Sequence, residues 1–259
     1  MFKKIRITIL LSILAVVAVS TYLQIYHVSD WKKPLFVTLY PINGDNLSST
    51  QEYINSIAAD QFHDINRFME SEAQAYGLTR RPLFLIATGK QLESQPPAPP
   101  KQQQKKLSMI LWSLKLRYWL IRHAGTFGLD TRHIRIFVVY HKGEKDKALE
   151  HSYGLQKGLI GVVNAYASEK QTQQNNIVIT HELLHVLGAK DKYNTNSMPV
   201  FPEGYAEPEK IPLLPQEYAE IMAGRIPETA FQSIMPSSLD LCVIGPTTAS
   251  EINWSGFHK

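Results

Sequence analysis

The segment 180–193, which reads THELLHVLGAKDKY, holds the residues best suited to chemistry. His181 and His185 are four positions apart, so on a helix they lie on one face with their β-carbons about 5 to 6 Å apart. Two imidazoles placed in this way can share one Zn²⁺ ion at about 2.0 to 2.1 Å. Glu182 lies beside the first histidine, where it can take a proton from a water that the metal activates. The spacing therefore predicts a zinc site with its own general base.

The residues that follow the two histidines complete the pattern. Gly188 comes at the point where the helix must end and the chain must fold back, and glycine tolerates the positive φ angle that such a turn requires. Asp191, three residues later, can supply a carboxylate oxygen as the third ligand. Three protein ligands leave one tetrahedral position open for water, as a catalytic zinc requires.

A bare HExxH pattern arises by chance on the order of once in a hundred chains of this length, so the added glycine and aspartate matter. The run from His181 to Asp191 resembles the HExxHxxGxxH/D motif of the metzincin metalloproteases, and the final aspartate, followed by Lys192 and Tyr193, is most similar to the snapalysin branch. The resemblance covers about 14 residues. It implies a zinc endopeptidase whose active-site helix closes an upper lobe and whose lower lobe carries a methionine turn under the metal.

Two methionines are candidates for that turn. Met222, in the sequence EIMAG, is similar to the turn of the snapalysin-like enzymes, whereas Met235, in SIMP, is similar to the Ser-x-Met turn of other metzincins. We favour Met222, although most methionines are ordinary core residues. The proline-rich insertion Asn194–Tyr218 departs from the small snapalysins, so substrate preference does not carry over from the resemblance.

Two further features are weaker candidates. The hydroxyl of Tyr193, two residues after the third ligand, could donate to the oxyanion of a tetrahedral intermediate, or the ring could serve only in packing. The segment Gly158–Ala167 reads as an edge strand that could pair with an extended substrate peptide, or as a plain strand of the sheet.

The remaining chemistry-bearing residues carry no comparable pattern. Cys242 is the single cysteine, which excludes an internal disulfide and predicts an inert buried thiol. The sequence contains no phosphate-binding glycine loop, nucleophilic serine elbow or nucleic-acid motif, so we expect no nucleic-acid partner. Seven histidines lack ligand spacing: His27, His63, His123, His133, His141, His151 and His258.

The elements that must position these residues follow from periodicity and turn signals. We predict the order β-α-β-α-β-β followed by the motif helix, with an exposed loop at 95–106 and a capping-box helix from Thr248 through Trp254. In the second helix, Leu107, Ile110, Leu111, Leu114, Tyr118 and Ile121 are expected to face the core. The strands are expected at 35–40, at 83–87 (buried), at 134–140 and at 158–167, and the helices at 50–76, 107–125 and 173–187.

These elements predict an α+β, zincin- or metzincin-like fold with two lobes. Residues 30–188 would form an N-terminal lobe in which a mixed twisted sheet and helices include the zinc-binding helix. Residues 189–259 would form a loop-rich C-terminal lobe with the methionine turn and a short terminal helix, because frequent prolines disfavour long regular elements.

The amino terminus accounts for most of the charge. The chain has 259 residues, is 44% hydrophobic and 19% charged, and carries a net charge of +4, of which Lys3, Lys4 and Arg6 supply three. The remainder is too nearly neutral to indicate a polyanionic partner. Residues 1–26 predict either an uncleaved membrane anchor, which we favour, or a signal peptide cleaved near Ser20 that releases a secreted or periplasmic protein.

Together these features predict a zinc-dependent metalloendopeptidase that acts on peptides or proteins outside the cytoplasm, held in the membrane by its N-terminal segment. Two alternatives stay open. One is a non-catalytic, zinc-stabilised binding module displayed on the membrane, and the other is a zinc hydrolase that acts on cell-wall peptides. A structural site would need no carboxylate at Glu182, which distinguishes the first alternative. The sequence predicts neither the cleavage specificity nor the oligomeric state.

Overall fold

The computed structural model describes residues 2–100, 106–124, 131–143, 149 and 151–254. The part of the expected loop at 101–105, the expected helix end at 125, and His258 lie outside the described residues. The helices are α1 (Phe2–Ser29), α2 (Ser48–Ser56), α3 (His63–Ala75), α4 (Lys106–His123), α5 (Thr172–Leu187) and α6 (Pro246–Glu251). The strands are β1 (Leu35–Asn43), β2 (Phe84–Thr88), β3 (His133–His141), β4 (Tyr153–Leu155), β5 (Ile160–Tyr166), β6 (Ala219–Glu220), β7 (Ile226–Pro227), β8 (Ser233–Ile234) and β9 (Cys242–Val243).

The first five strands form one sheet in the order β2-β1-β3-β5-β4. The pairs β1–β2, β1–β3 and β3–β5 are parallel, and β4 pairs antiparallel with β5. This mostly parallel sheet with helices confirms the α+β class. The helices lie on both faces of the sheet, because alternate residues of β3 enter two different hydrophobic clusters, Ile136 and Val138 on one face and Phe137 and Val139 on the other.

The sheet faces are covered unequally. One face packs against α3, α5 and the C-terminal region in a large cluster that includes Ile65, Leu183 and Trp254. The other face packs against α4 through Trp112 and Trp119 in a smaller cluster. The helix that carries the HExxH motif therefore belongs to the larger core.

Two strand predictions need correction, and one strand was not predicted. β1 continues through Pro41 to Asn43 instead of ending at Tyr40. The backbone of Pro41 faces the side of β1 on which β2 has already ended, so the missing proline N–H costs no hydrogen bond to β2. β2 is an edge strand rather than a buried one: Phe84 is buried, but Thr88 is exposed. β4, which the sequence analysis missed, is only three residues long.

The helix predicted over 50–76 is also wrong in its continuity. It divides into α2, a 3-10 helix at Ala59–Phe62, and α3. The break follows Ser56, whose hydroxyl donates to the carbonyl of Tyr53 at 2.8 Å, a local bond that competes with helix continuation. Ile57 then takes an extended conformation.

The face of α4 was predicted incorrectly. α4 carries apolar side chains on all its sides. The side that packs on the sheet carries Trp112, Leu116, Trp119 and Leu120. The residues expected in the core are exposed instead: Leu107, Ile110, Leu111, Leu114, Tyr118 and Ile121. Periodicity alone could not choose between two apolar sides, and the two tryptophans bury more surface than the aliphatic side chains opposite.

The C-terminal region contains only two-residue strands and short helices, which confirms the expected lack of long regular elements after residue 189. The capping-box prediction is wrong. α6 begins at Pro246, Thr248 lies inside it, and the Thr248 hydroxyl donates to Glu220 Oε1 at 2.6 Å instead of capping the helix. Proline suits the first helical position because its missing N–H would be unpaired there.

Among the described residues, α1 is the one helix long and apolar enough to cross a membrane. It could serve as an anchor or as a signal sequence. Its last turn is joined to the body: Val28 is buried, Arg132 donates to the carbonyl of His27 at 2.8 Å, and Asn253 donates to the carbonyl of Ser29 at 2.6 Å. Trp31, just past α1, donates from its indole N–H to the carbonyl of Ile252.

Candidate metal centre

Helix α5 presents both histidines, as the sequence predicted. It spans Thr172–Leu187 and ends at Gly188, which has φ 116°. This left-handed conformation favours glycine and turns the chain back toward the helix. The turn brings Asp191 beside the two histidine rings.

The three expected ligands converge on one point. Oδ1 of Asp191 lies 3.2 Å from Nε2 of His181 and 3.0 Å from Nε2 of His185. One ligand atom from each residue lies within 4.8 Å of the others. Among the described residues, this is the one such group of three potential ligands.

The hydrogen bonds on the far sides of the rings test whether a metal fits. Nδ1 of His181 faces the carbonyl of Ile221 at 2.9 Å, and Nδ1 of His185 faces the carbonyl of Ala189 at 2.8 Å. A carbonyl oxygen only accepts, so each Nδ1 must carry a proton, and in a neutral ring each Nε2 then has a free lone pair. In that state three electron-pair donors face one another, which a cation between them would stabilise, and two imidazoles with a carboxylate suit Zn²⁺.

Glu182 lies beside this group, and the hydrogen-bonding capacity of its carboxylate is not fully used. Its side chain is 5% exposed, and its Oε2 atom has no hydrogen-bond partner in the described part of the chain. Burial raises the pKa of Glu182, and the positive potential of His181 and His185 only partly opposes this. An unpartnered buried carboxylate oxygen is costly, and a role for Glu182 at this site would account for it. It lines a cavity of about 270 Å³ together with Tyr193.

The charges of the ligands depend on one another. Burial lowers the pKa of His181, but its hydrogen bond to Asp191 and the charge of Glu182 outweigh burial and raise it. Burial likewise opposes ionisation of Asp191, but the two histidines reverse the effect and hold its pKa well below the usual range. The arrangement thus keeps Asp191 ionised, as a ligand must be.

Tyr193 lies over the site. Its ring stacks near that of His181, with centroids 6.4 Å apart and planes at 25°. Burial first, and then the nearby charge of Asp191, raise the pKa of Tyr193 to about 12. The hydroxyl therefore stays protonated and able to donate.

The two candidate methionines lie in different surroundings. Met222 is fully buried in the turn after Ile221, the residue whose carbonyl holds His181. Met235 is 41% exposed and lines the cavity beside Glu182.

Sequence reasoning missed Glu220, which shapes the turn that holds Met222. This carboxylate is fully buried and accepts from the backbone N–H groups of Met222, Ala223 and Gly245 at 2.7, 3.1 and 3.2 Å, besides the hydroxyl of Thr248. It thereby fixes the carbonyl of Ile221 against His181. Nothing in the sequence marks Glu220, because two of its donors lie more than 20 positions away.

Lys192 makes a second connection that the sequence did not indicate. Its backbone N–H donates to the carbonyl of Met222 at 2.9 Å, and its buried ammonium donates to Glu251 at 2.6 Å. The residue after Asp191 is thus attached both to the methionine turn and to α6.

The strand at the edge of the sheet beside the site is β4. Of the two alternatives for Gly158–Ala167, the edge strand is therefore wrong and the plain strand of the sheet is confirmed. β5 lies between β3 and β4. A Cβ atom at Gly154 would lie 2.5 Å from the carbonyl oxygen of Glu182 and 2.6 Å from Cβ of His185. Only glycine allows β4 to approach α5 this closely.

The burial expected for Cys242 is confirmed. Cys242 is a buried free cysteine, and burial raises the pKa of its thiol to about 12. The other histidines, where described, form no second metal-ligand group.

A scan against protein-family models found no matching family, and a search of the curated proteins found no significant match.

Proposed function

We propose that this chain is a zinc-dependent peptidase of the metzincin type, in which His181, His185 and Asp191 hold the metal and Glu182 is the general base. The observation that carries the proposal is the convergence of three ligand atoms within 4.8 Å beside a buried carboxylate with an unpartnered oxygen. The ring hydrogen bonds to the carbonyls of Ile221 and Ala189 support it, because they orient both Nε2 atoms toward one point.

When bound, Zn²⁺ supplies a Lewis acid that acidifies water and polarises a carbonyl group. Glu182 accepts the proton of the attacking water and passes it to the leaving amine. Its raised pKa suits both steps, because a base that must also act as an acid works best near the operating pH. Tyr193 would donate a hydrogen bond to the oxyanion. The turn that contains Met222, fixed by Glu220, holds His181 through the carbonyl of Ile221.

The substrate is a peptide or protein, and β4 is the strand that would receive it. In the described part of the sheet, β4 has a neighbour on one side only. An extended peptide can pair with such a free edge through its backbone. The close approach of Gly154 to the backbone of Glu182 and to Cβ of His185 supports this, because it brings β4 beside the helix that carries both residues.

We favour an anchor over a cleaved signal, because α1 runs as one helix from its apolar segment into the turn that packs on the body. Its final turn contributes Val28 to the core and is bonded to Arg132 and Asn253. Cleavage near Ser20 would leave this packed turn in place but remove the apolar segment before it. We therefore place the body outside the cytoplasm, with the basic residues Lys3, Lys4 and Arg6 inside.

The test of catalysis is Glu182→Gln, which keeps the shape of the side chain and removes the base. We expect zinc content to remain at wild-type level while kcat on a casein or peptide-library digest falls by about 10²- to 10⁴-fold. Glu203→Gln, at an exposed glutamate, is the matched control. Unchanged hydrolysis by the Glu182 variant would contradict the mechanism and would favour a zinc-stabilised binding module. Cleavage of cell-wall peptides but not of protein by the wild type would shift the substrate class.

The test of the metal site is Asp191→Ala. We expect zinc affinity to fall by at least about 10- to 100-fold, the range for residues that only support a ligand. Metal content after dialysis against a mild chelator measures this loss. Asp60→Ala, at an exposed aspartate, should retain zinc like the wild type. If Asp191→Ala also retained it, Asp191 would not be a ligand.

A further inference from the structure

Helix α4 leaves a broad apolar stripe uncovered. An α-helix turns about 100° per residue, so the stripe lies opposite the side that packs on the sheet. A contiguous exposed surface of this kind marks an interaction site in a soluble domain or a membrane contact. The residues of the stripe are each between 51% and 69% exposed: Leu107, Ile110, Leu111, Leu114, Tyr118 and Ile121.

Basic residues border this α4 stripe. By the same helical geometry, Lys115 and Arg122 lie along one flank, and Arg117 lies along the other. The helix contains no acidic residue. An apolar face bordered by Lys and Arg is typical of helices that lie in the membrane interface, where long basic side chains extend to the lipid headgroups.

The position of α4 beside α1 determines the depth of α4 relative to a bilayer. The segment between Arg6 and His27 has about 20 uncharged residues, and a span of the hydrocarbon core needs about that many, so all of it must lie in the membrane. Thr21 and Gln24 belong to its outer half. They line the same cavity, of about 770 Å³, as Met109 and Leu116 of α4. A helix beside that part of α1 is at the depth of the outer leaflet.

We propose that the α4 stripe is a second membrane contact, which enters the outer leaflet beside α1 and has the lipid bilayer as its partner. The bilayer is favoured over a second copy of the chain, because basic residues border the stripe and α4 lies beside the outer half of α1. The proposal rests on the anchor proposed for α1, but it needs neither a metal nor hydrolysis.

The test uses the full chain in lipid nanodiscs that hold one copy each. Cysteines for an environment-sensitive fluorophore are introduced by Leu114→Cys and, as a second stripe position, Tyr118→Cys. The native Cys242 stays unlabelled, because it is buried and its thiol has a pKa of about 12. The quencher is phosphatidylcholine with a spin label near the headgroup end of its acyl chain.

Two further cysteine variants serve as controls for the fluorescence measurement. Leu14→Cys, at an exposed position of α1, reports a lipid-facing site, and Ser71→Cys, at an exposed position of α3, reports the opposite side of the sheet. We expect the labels on the stripe to lose their fluorescence as the label at Leu14→Cys does, while the label at Ser71→Cys keeps it.

Bright labels on the stripe beside a quenched Leu14→Cys label would overturn the proposal. Bright labels at all positions would overturn it as well, because the stripe and α1 are placed in the same bilayer. If the stripe labels became shielded only when two chains shared a disc, the stripe would instead be an interface between copies. Zinc binding and hydrolysis, measured on the same samples, report separately on the proposed function.

Discussion

Helices α4 and α5 cover opposite faces of one sheet, and they differ in what lies on their outer sides. α5 is buried on nearly every side, because the C-terminal region adds Ile221, Ala249 and Ile252 over it. α4 is buried only where it meets the sheet. The difference teaches that apolar residues around a helix do not reveal how many layers cover it. The second layer, residues 189–254, covers α5, the helix that carries the candidate metal centre.

Matched leucine-to-alanine substitutions, one in each helix, test this comparison most strongly. Leu183 of α5 is 0% exposed and Leu114 of α4 is 58% exposed. We expect Leu183→Ala to lower the free energy of unfolding by about 2 to 5 kcal/mol, because it leaves a cavity. Leu114→Ala should change it by no more than about 0.5 kcal/mol in detergent. Denaturant titration of both variants measures the difference, and similar losses would mean that the outer side of α4 is also packed.

Glu220 sharpens the comparison, because it belongs to the layer that only α5 has. Glu220→Gln places an amide N–H₂ among groups that donate, so we expect the free energy of unfolding to fall by about 1 to 3 kcal/mol. Zinc affinity should fall by about 10- to 100-fold, since the turn that orients His181 loosens. Glu217→Gln, at an exposed neighbour, is the control. Lost stability with unchanged zinc affinity would assign Glu220 to the core alone.

The sequence predicted the local part of the site well. The HExxH spacing and Gly188 determine where the helix presents its histidines and where it ends, because both depend only on neighbouring residues. The contacts of Glu220 with Gly245 and Thr248 could not be predicted from the sequence, since they depend on how distant segments of the chain pack together. The face of α4 was mispredicted for the same reason: two apolar sides are equivalent until the sheet selects one.

A third helix, α1, is attached to the body through polar contacts at its end. Loss of one of these contacts should have the smallest effect on the free energy of unfolding. Asp30 pairs with Arg132 at 2.8 Å, and although burial opposes ionisation, this partner and the N–H of Lys32 lower the pKa of Asp30. A lowered pKa in the folded state stabilises the protein above the unfolded value, near 3.8, and the contribution is lost as the pH falls below it.

We therefore expect Asp30→Asn to cost about 1 kcal/mol at pH 7. The gap between variant and wild type should shrink as the pH falls below about 4, where Asp30 becomes protonated first in the unfolded chain and, at lower pH, in the folded protein. Denaturant titration at the two pH values measures it. A gap that stays constant with pH would show that the ion pair contributes nothing to stability.

The bonds of Arg132, Asn253 and Trp31 attach the end of α1 to the body. A body joined to its anchor by a flexible linker of n residues would range over about 5 to 6 Å × √n. If α1 is a membrane anchor, as proposed, these bonds would instead hold the candidate metal centre at one height above the bilayer. The choice of the bond to be cut would then depend first on its distance from the membrane and only second on the residues around it.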